Sequence, residues 1–511
     1  MLNLDRLRAR SGGYAGGLFA GTGYSAVAQA APLVVNVALT PVLIRRLGLD
    51  RFGLWSLVLV LLFTLTSLDG GVSASLARFY AFRGAHADRA GAGRLLVGSL
   101  ALFLALGALV TGGCLLLAPA VGLLHISPQL HGEAVAVLRF LGPLLTLALV
   151  SDSAASLLQA HGRFRALAGA TLGSCAVYAA GVLMLVHGGA GSLTVLAAVT
   201  ALRFVVLAVT GLLLGARHLA IRRPLLPERA ERREFTGYAV RMQLSGLTVF
   251  LNGEIDAFVI AALLPVRYVG MYAAGYQVAA ALRSLPLYAF PPVLTRLTEV
   301  FARSGLPGAV REYQWRQARW LPAVLTYGAV TTVAAPFAVR AWLGPGLALS
   351  GAVAAVLLAG YSIHVALTGM RTCLVRAVGR PGLETRYSWL ATVVNTVLTV
   401  PFALAFGMLG VVAATAVGLV AGSAYFVLLC RRFTGPRERR VSARWSLVAA
   451  LAATVTLAGE LPVVLTGWHG TLPLLLAGLP VLAGLAVAAG AMARMLPREA
   501  AARPTVGAGR S

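Results

Sequence analysis

The chain has 511 residues, of which 59% are hydrophobic and 12% charged, and its mean hydropathy is +0.82. A soluble protein of this size carries about 25% charged residues, so a water-soluble globular fold is excluded. The net charge is +26 and all 43 basic residues are arginine; a nucleic-acid binder would gather such charge on a soluble domain, whereas here it falls between apolar blocks.

Those blocks run to about 20 residues, the length that crosses a hydrocarbon core near 30 Å. They are solid rather than alternating, which points to helices and not to a β-barrel. In chain order the spans are 17–44, 53–76, 95–121, 134–158, 166–187, 192–215, 237–264, 268–292, 319–341, 349–373, 387–406, 408–430, 445–466 and 472–492. The expectation is an all-α polytopic membrane protein with about 14 transmembrane helices. The first apolar run follows three arginines and is too long for a signal-peptide core.

The connections alternate in charge. Arginines precede span 1, follow spans 2, 4, 6, 8, 10 and 12, and recur in the tail, which places 34 of the 43 on one side. The connections after spans 3, 5, 9, 11 and 13 contain none. By the positive-inside rule this predicts both termini on the cytoplasmic side of the membrane. Arg45, Arg46 and Arg51 depart from this pattern, on the predicted outer side. The connections are short throughout, with no room for a separate soluble enzyme domain.

Two short motifs recur at the same offset. Gly53-Leu-Trp55-Ser56 matches Gly270-Met-Tyr272-Ala273, and Leu157-Leu-Gln-Ala160-His-Gly162-Arg163 matches Leu374-Val-Arg-Ala377-Val-Gly379-Arg380, each 217 residues on. This equates spans 1–6 with spans 7–12. Six is even, so the copies share an orientation and form two lobes about an axis along the membrane normal. The predicted organisation is an N-terminal lobe at 1–220, a second lobe at 235–430, an appended helix pair at 445–492 and a cytoplasmic tail at 493–511.

Span 7 carries charge at bilayer depth, which costs about 2.5–3.5 kcal/mol per residue on insertion scales and so faces a cavity or a partner. At 100° per residue, Arg241, Ser245, Thr248, Asn252 and Asp256 share one face, and Phe250 and other apolar residues cover much of the rest. Span 1 has an equivalent stripe of Thr22, Ser25, Gln29, Asn36 and Thr40, with Asn36 one residue from the repeat partner of Asn252. Such residues also glue neighbouring helices, which is the competing role. Asp69, Asp152 and Glu254 are further carboxylates within the spans, candidates for an ion site or a gate or for plain helix pairing. Arg139, Arg203 and Arg283 each sit inside a span; Arg283 is too far from either end to reach an interface easily. His364 is the sole histidine of span 10 and reads as structural. Pro32, Pro286, Pro291 and Pro292 are candidate kinks. The four cysteines, Cys114, Cys175, Cys373 and Cys430, read as small apolar core residues. No metal-ligand cluster, nucleophile elbow or P-loop is present, so neither a metal nor a cofactor is expected.

RRLGLDRFGLWSLVLVLLFTLTSLDGGVSASLARFYA at 45–81, LLQAHGRFR at 157–165 and IDAFVIAALLPVRYVGMYAAGYQVA at 255–279 resemble the first hairpin, the helix 4–5 connection and the start of the second lobe of polysaccharide-biosynthesis flippases. Their superfamily also holds multidrug exporters. The resemblance covers about 14–430. It implies a two-lobed bundle that moves an undecaprenyl-pyrophosphate-linked oligosaccharide from the inner to the outer leaflet by alternating access, in polysaccharide, O-antigen or capsule export. It also implies that cavity cations meet the pyrophosphate. Arg241 and Arg283 are the candidates, with Asn36, Gln29, Asn252 and Asp256 lining the cavity; an arginine fork suits a phosphate because it donates two hydrogen bonds at once. A polysaccharide polymerase or glycosyltransferases are further candidate partners, and nucleic acid is not. The alternative is a cation-coupled exporter of small molecules using the acidic residues. A membrane enzyme would need a positioned acid or base on a sizeable outer loop, which the chain lacks; a scaffold would leave the matched stripes unexplained.

If the stripe of span 7 faces a cavity, thiol reagents will label Ser245→Cys, Thr248→Cys and Asn252→Cys faster than Phe250→Cys in reconstituted protein. Equal labelling would move the cavity elsewhere.

Overall fold

The computed structural model describes residues 4–67, 72–85, 88–117, 126–187, 192–220, 233, 235, 255–287 and 289–434. Among these the chain is helical, with short 3-10 turns and no strand. The helices are α1 (Leu4–Leu47), α2 (Leu49–Ser67), α3 (Val72–Ala85), α4 (Arg89–Leu117), α5 (His131–Ala160), α6 (Phe164–His187), α7 (Leu193–Gly215), α8 (Ile255–Leu263), α9 (Arg267–Leu287), α10 (Phe290–Leu343), α11 (Ala348–Ala377) and α12 (Gly382–Thr434). The fold is therefore that of an all-α polytopic membrane protein. Among the described residues nine stretches are long and apolar enough to cross a bilayer.

Spans 1, 3, 4, 5, 6, 8 and 10 correspond to α1, α4, α5, α6, α7, α9 and α11. Spans 11 and 12 run together as α12, which bends at Gly407 (φ 61°), the residue expected between them. A side chain is strained at that φ, and glycine is not. Span 2 ends sooner than expected, at Ser67, and α3 begins at Val72. Span 7 is described only from Ile255, and spans 13 and 14 with the tail lie outside the described residues.

The segment 293–318, expected as a connection, is helical. α10 starts at Phe290 with two prolines in its first turn, bends at Gly305 (φ 61°) and runs on to Leu343. The reason is amphipathicity: Val293, Leu294, Leu297, Val300 and Phe301 recur at helical spacing, and Val293 and Leu297 are fully buried. Proline is well tolerated in a first helical turn, where its missing N–H has no partner to lose.

The chain divides into two compact units, Met1–Ala273 and Ala274–Ser511. In the first, α5 packs against α2, α3, α4 and α7, and α6 against α1 and α7. The α5 leucines Leu141, Leu144, Leu145, Leu149 and Leu157 fill its interior. Arg51 of α2 forms a two-point ion pair with Glu133 of α5, at 2.6 and 3.1 Å. In the second, α10 packs on α11 and α11 on α12. Trp320 and Gln317 of α10 donate to the Val365 and Ala366 carbonyls of α11, at 3.0 and 3.1 Å, within a core that includes Tyr313, Met370 and Leu374.

The two sequence repeats have structural counterparts. α5 ends in a left-handed Gly162 (φ 67°), with Arg163 N–H donating to Leu158 O and Gly162 N–H to Gln159 O. α11 ends in a left-handed Gly379 (φ 74°), with Arg380 N–H donating to Val375 O and Gly379 N–H to Arg376 O. Both glycine-closed helix ends thus share these two bonds, at the predicted offset. The other pair, Gly53 and Gly270, touch each other inside the first unit. A Cβ on Gly53 would lie 2.1 Å from the Val266 carbonyl oxygen, and one on Gly270 would lie 3.1 Å from Gly53 Cα. Gly53→Ala is therefore expected to destabilise by about 1–3 kcal/mol, read as a lower Tm in detergent. Gly169→Ala, where the added carbon meets nothing within 4 Å, is the control and will hold or raise Tm.

The α3–α4 link is fastened by Asp88, which accepts from the Gly91 amide at 2.7 Å and the Arg83 guanidinium at 2.5 Å. Burial pushes its carboxyl up, but the Gly91 amide and the charges of Arg83 and Arg94 outweigh this and hold it below the ordinary carboxylate value. The link therefore contributes stability above that ordinary value and loses it as pH falls through the lower folded one. Melting scans from neutral to acid pH will show a Tm loss that is smaller in Asp88→Asn.

Candidate functional site

Each expected site residue has a defined place or lies outside the described residues. Arg241, Asn252, Glu254 and Asp69 are among the latter. On α1, Gln29 is exposed and Asn36 half-buried, with the Thr40 hydroxyl donating to the Asn36 carbonyl at 2.8 Å. Asp152 is exposed on α5. Arg163, which shares its face in sequence, instead donates to the Leu214 carbonyl of α7.

Asp256 opens α8 and is 1% exposed. The Tyr272 hydroxyl, one helix on, lies 3.5 Å from its Oδ2. Tyr272 is the repeat partner of Trp55, and both are buried. The α8–α9 hairpin that brings carboxylate and phenol together turns at Pro265 and Val266, where the Tyr268 N–H donates to Pro265 O. Val266 O is also the atom against which Gly53 rests. Burying a carboxyl group at that depth carries a solvation cost of several kcal/mol.

Arg283 of α9, in the second unit, has its guanidinium carbon 4.3 Å from the centre of the Tyr361 ring of α11. It makes no hydrogen bond or ion pair with another described residue, so its N–H donors remain available there. The stacking holds a cation in an apolar span without a counter-ion among the described residues. One turn along α11 from Tyr361, His364 feels the Arg283 charge. Its Nδ1 is 2.9 Å from the Ser423 hydroxyl of α12, which itself donates to the Leu419 carbonyl at 2.6 Å. The Ser423 hydroxyl thus sits between the imidazole and the Leu419 carbonyl. His364 also lies 5.9 Å from the Tyr387 ring. The group of Arg283, Tyr361, His364 and Ser423 thus presents a planar cation beside an oriented imidazole, suited to an anionic or hydrogen-bonding solute.

Sequence reasoning singled out Arg283 and Asp256 by their depth. It missed Tyr361 and Ser423, which are far from Arg283 in sequence and unremarkable in their own helices. It read His364 as structural, and the bond to Ser423 agrees with a fixed ring. Arg203, mid-span in α7, lies 5.3 Å over the Tyr178 ring of α6; Arg139 is exposed. All four cysteines are free, and among the described residues no His, Cys, Asp and Glu cluster is placed to hold a metal.

The helices and the charges within them define a multi-pass membrane protein built around buried polar groups. Residues 18–297 match the family described as polysaccharide biosynthesis protein, and the chain belongs to that family. Among solved structures it is similar to the lipid II flippase MurJ in an inward-closed conformation, at 13% identity and a TM-score of 0.64, over 91% of this chain and 98% of that one. It is similar also to an inward-facing multidrug resistance MATE family transporter of the MOP superfamily, at 16% identity and a TM-score of 0.56, over 82% and 98%. A Vibrio cholerae MATE transporter aligns at 14% identity and a TM-score of 0.54, over 82% and 97%. At these identities the likeness is one of fold. None of the curated proteins compared with the chain matches it in sequence.

Proposed function

We propose that the chain translocates an undecaprenyl-pyrophosphate-linked oligosaccharide from the inner to the outer leaflet of the bacterial cytoplasmic membrane by alternating access, in polysaccharide export. The observation that carries this reading is membership of the polysaccharide biosynthesis family over residues 18–297. The fold shared with a lipid II flippase supports it. The residues supply a fitting chemistry: Arg283, stacked on Tyr361 and free toward the described residues, has the donor geometry for a pyrophosphate oxygen. Arg241, Asn36, Gln29, Asn252 and Asp256 complete the proposed binding set. The glycine-closed helix ends at Gly162 and Gly379 support two repeated lobes at 1–220 and 235–430. Both termini lie on the cytoplasmic side in this reading, where a polysaccharide polymerase or glycosyltransferases are candidate partners. The chain acts as a carrier rather than a catalyst, because moving a lipid between leaflets breaks no covalent bond.

A second reading, cation-coupled export of small molecules, is favoured by one observation. Asp256 is a fully buried carboxylate beside a phenol, a pair able to hold a proton or a small cation. The fold shared with MATE transporters accommodates it.

The test is reconstitution in liposomes that carry a fluorescent undecaprenyl-pyrophosphate oligosaccharide, measuring the fraction that an external quencher or glycosidase reaches. Protein-dependent movement is expected. Arg241→Ala and Arg283→Ala will each slow it by about ten-fold or more, the effect of losing a charge-assisted hydrogen bond. Arg296→Ala, which breaks only an exposed pair with Glu299, will not. No movement with several glycans, alongside cation-driven dye efflux blocked in Asp256→Asn, would replace the first reading with the second.

A further inference from the structure

The two arms of α12, 382–406 and 408–434, pack through Gly418 and Gly422, one turn apart on one face. A Cβ on Gly418 would stand 2.7 Å from the Ala391 carbonyl oxygen, and one on Gly422 would stand 2.7 Å from Ala391 Cβ. This small-residue contact lets the backbones approach closely. Beside it opens a groove of about 740 Å³, lined by Arg386, Trp389, Leu390, Val393 and Tyr425 among others.

The groove is zoned. Arg386 stands at one end. From it a stripe at helical spacing, Trp389, Val393, Val397 and Leu404, runs the length of the first arm, exposed by 43, 51, 64 and 74%. The stripe carries no second charge. The nearest acidic residue in sequence, Glu384, is taken by Arg376 in a two-point ion pair at 2.6 and 2.8 Å. Arg386 itself makes no hydrogen bond or ion pair with another described residue. Its positive charge is therefore uncompensated among the described residues, at the membrane face where Arg376, Arg380 and Arg386 collect. Tryptophan and tyrosine favour the headgroup level, where one end of the ring system is wet and the other apolar. A single charge, two interfacial aromatics and a long apolar track match one amphiphile of opposite sign.

We propose that this groove binds one anionic phospholipid. Its phosphate sits on Arg386 between Trp389 and Tyr425, and an acyl chain lies along Leu390, Val393 and Val397. The site is independent of whatever the protein translocates. It would make the protein's state depend on the anionic lipid content of the leaflet on that face.

The full-length protein, purified in detergent, is incubated with dioleoyl-phosphatidylglycerol or dioleoyl-phosphatidylcholine, and bound lipids are counted by native mass spectrometry. The expected result is one tightly retained phosphatidylglycerol, with phosphatidylcholine retained more weakly. Arg386→Gln is expected to weaken retention about five-fold, the factor that about 1 kcal/mol per surface arginine represents. Val393→Trp, which fills the apolar half, is expected to weaken it comparably. Arg303→Gln, at an exposed arginine elsewhere, leaves it unchanged, and excess inorganic phosphate does not displace the lipid. Equal retention of the two lipids, or by all variants, would overturn the proposal. So would displacement by phosphate alone, which would show an ion site without a lipid. A dimer that Val393→Trp dissociates without changing lipid count would show a protein occupant instead.

Discussion

Hydrocarbon offers backbone amides and carbonyls nothing to bond with, and this constraint shapes the whole chain. Each crossing must close its own hydrogen bonds, so helices are the only local solution and each end must be capped within the chain. The helix ends at Gly162 and Gly379 do so with the same pair of backbone bonds. Where no loop intervenes, at Gly305 and Gly407, a left-handed glycine turns the chain and the helix resumes.

The same solvent makes each charge in or beside a crossing costly, and the structure answers in three ways. Arg51 and Glu133 neutralise each other. Arg203 and Arg283 rest on tyrosine rings, which stabilise a cation without cancelling it. Asp256 keeps its carboxylate beside a phenol. Pairing with a counter-ion uses a charge up, whereas stacking on a ring does not. Arg283 is the sharper case, because its donors are unused by the described residues around it.

Much of this was legible in the sequence. The length of the apolar runs set the crossings, and the break between spans 11 and 12 fell on the residue that bends α12. The shared offset of 217 found two turns closed by the same pair of backbone bonds. The helical start of α10 was missed although its apolar residues recur at helical spacing, because its arginines made the segment resemble a connection. Arg51 stood out as misplaced until Glu133, remote in sequence, supplied its partner. The site was legible only through single residues at unusual depth. Tyr361 and Ser423 carry no such mark, and only folding brings them to Arg283 and His364.

The bend at Gly407 has a practical consequence. An endoprotease must draw several extended residues into its cleft, and an antibody needs a comparable stretch of exposed chain. Two helices joined through one residue supply neither. Insertion of an epitope there would have to unwind a turn of each arm, at a site where glycine's φ of 61° already tolerates no other residue without strain. On that face of the membrane this corner is closed to the usual reporters of topology, and labels of single-residue size, such as a cysteine reacted with a small maleimide, are the means of detecting it.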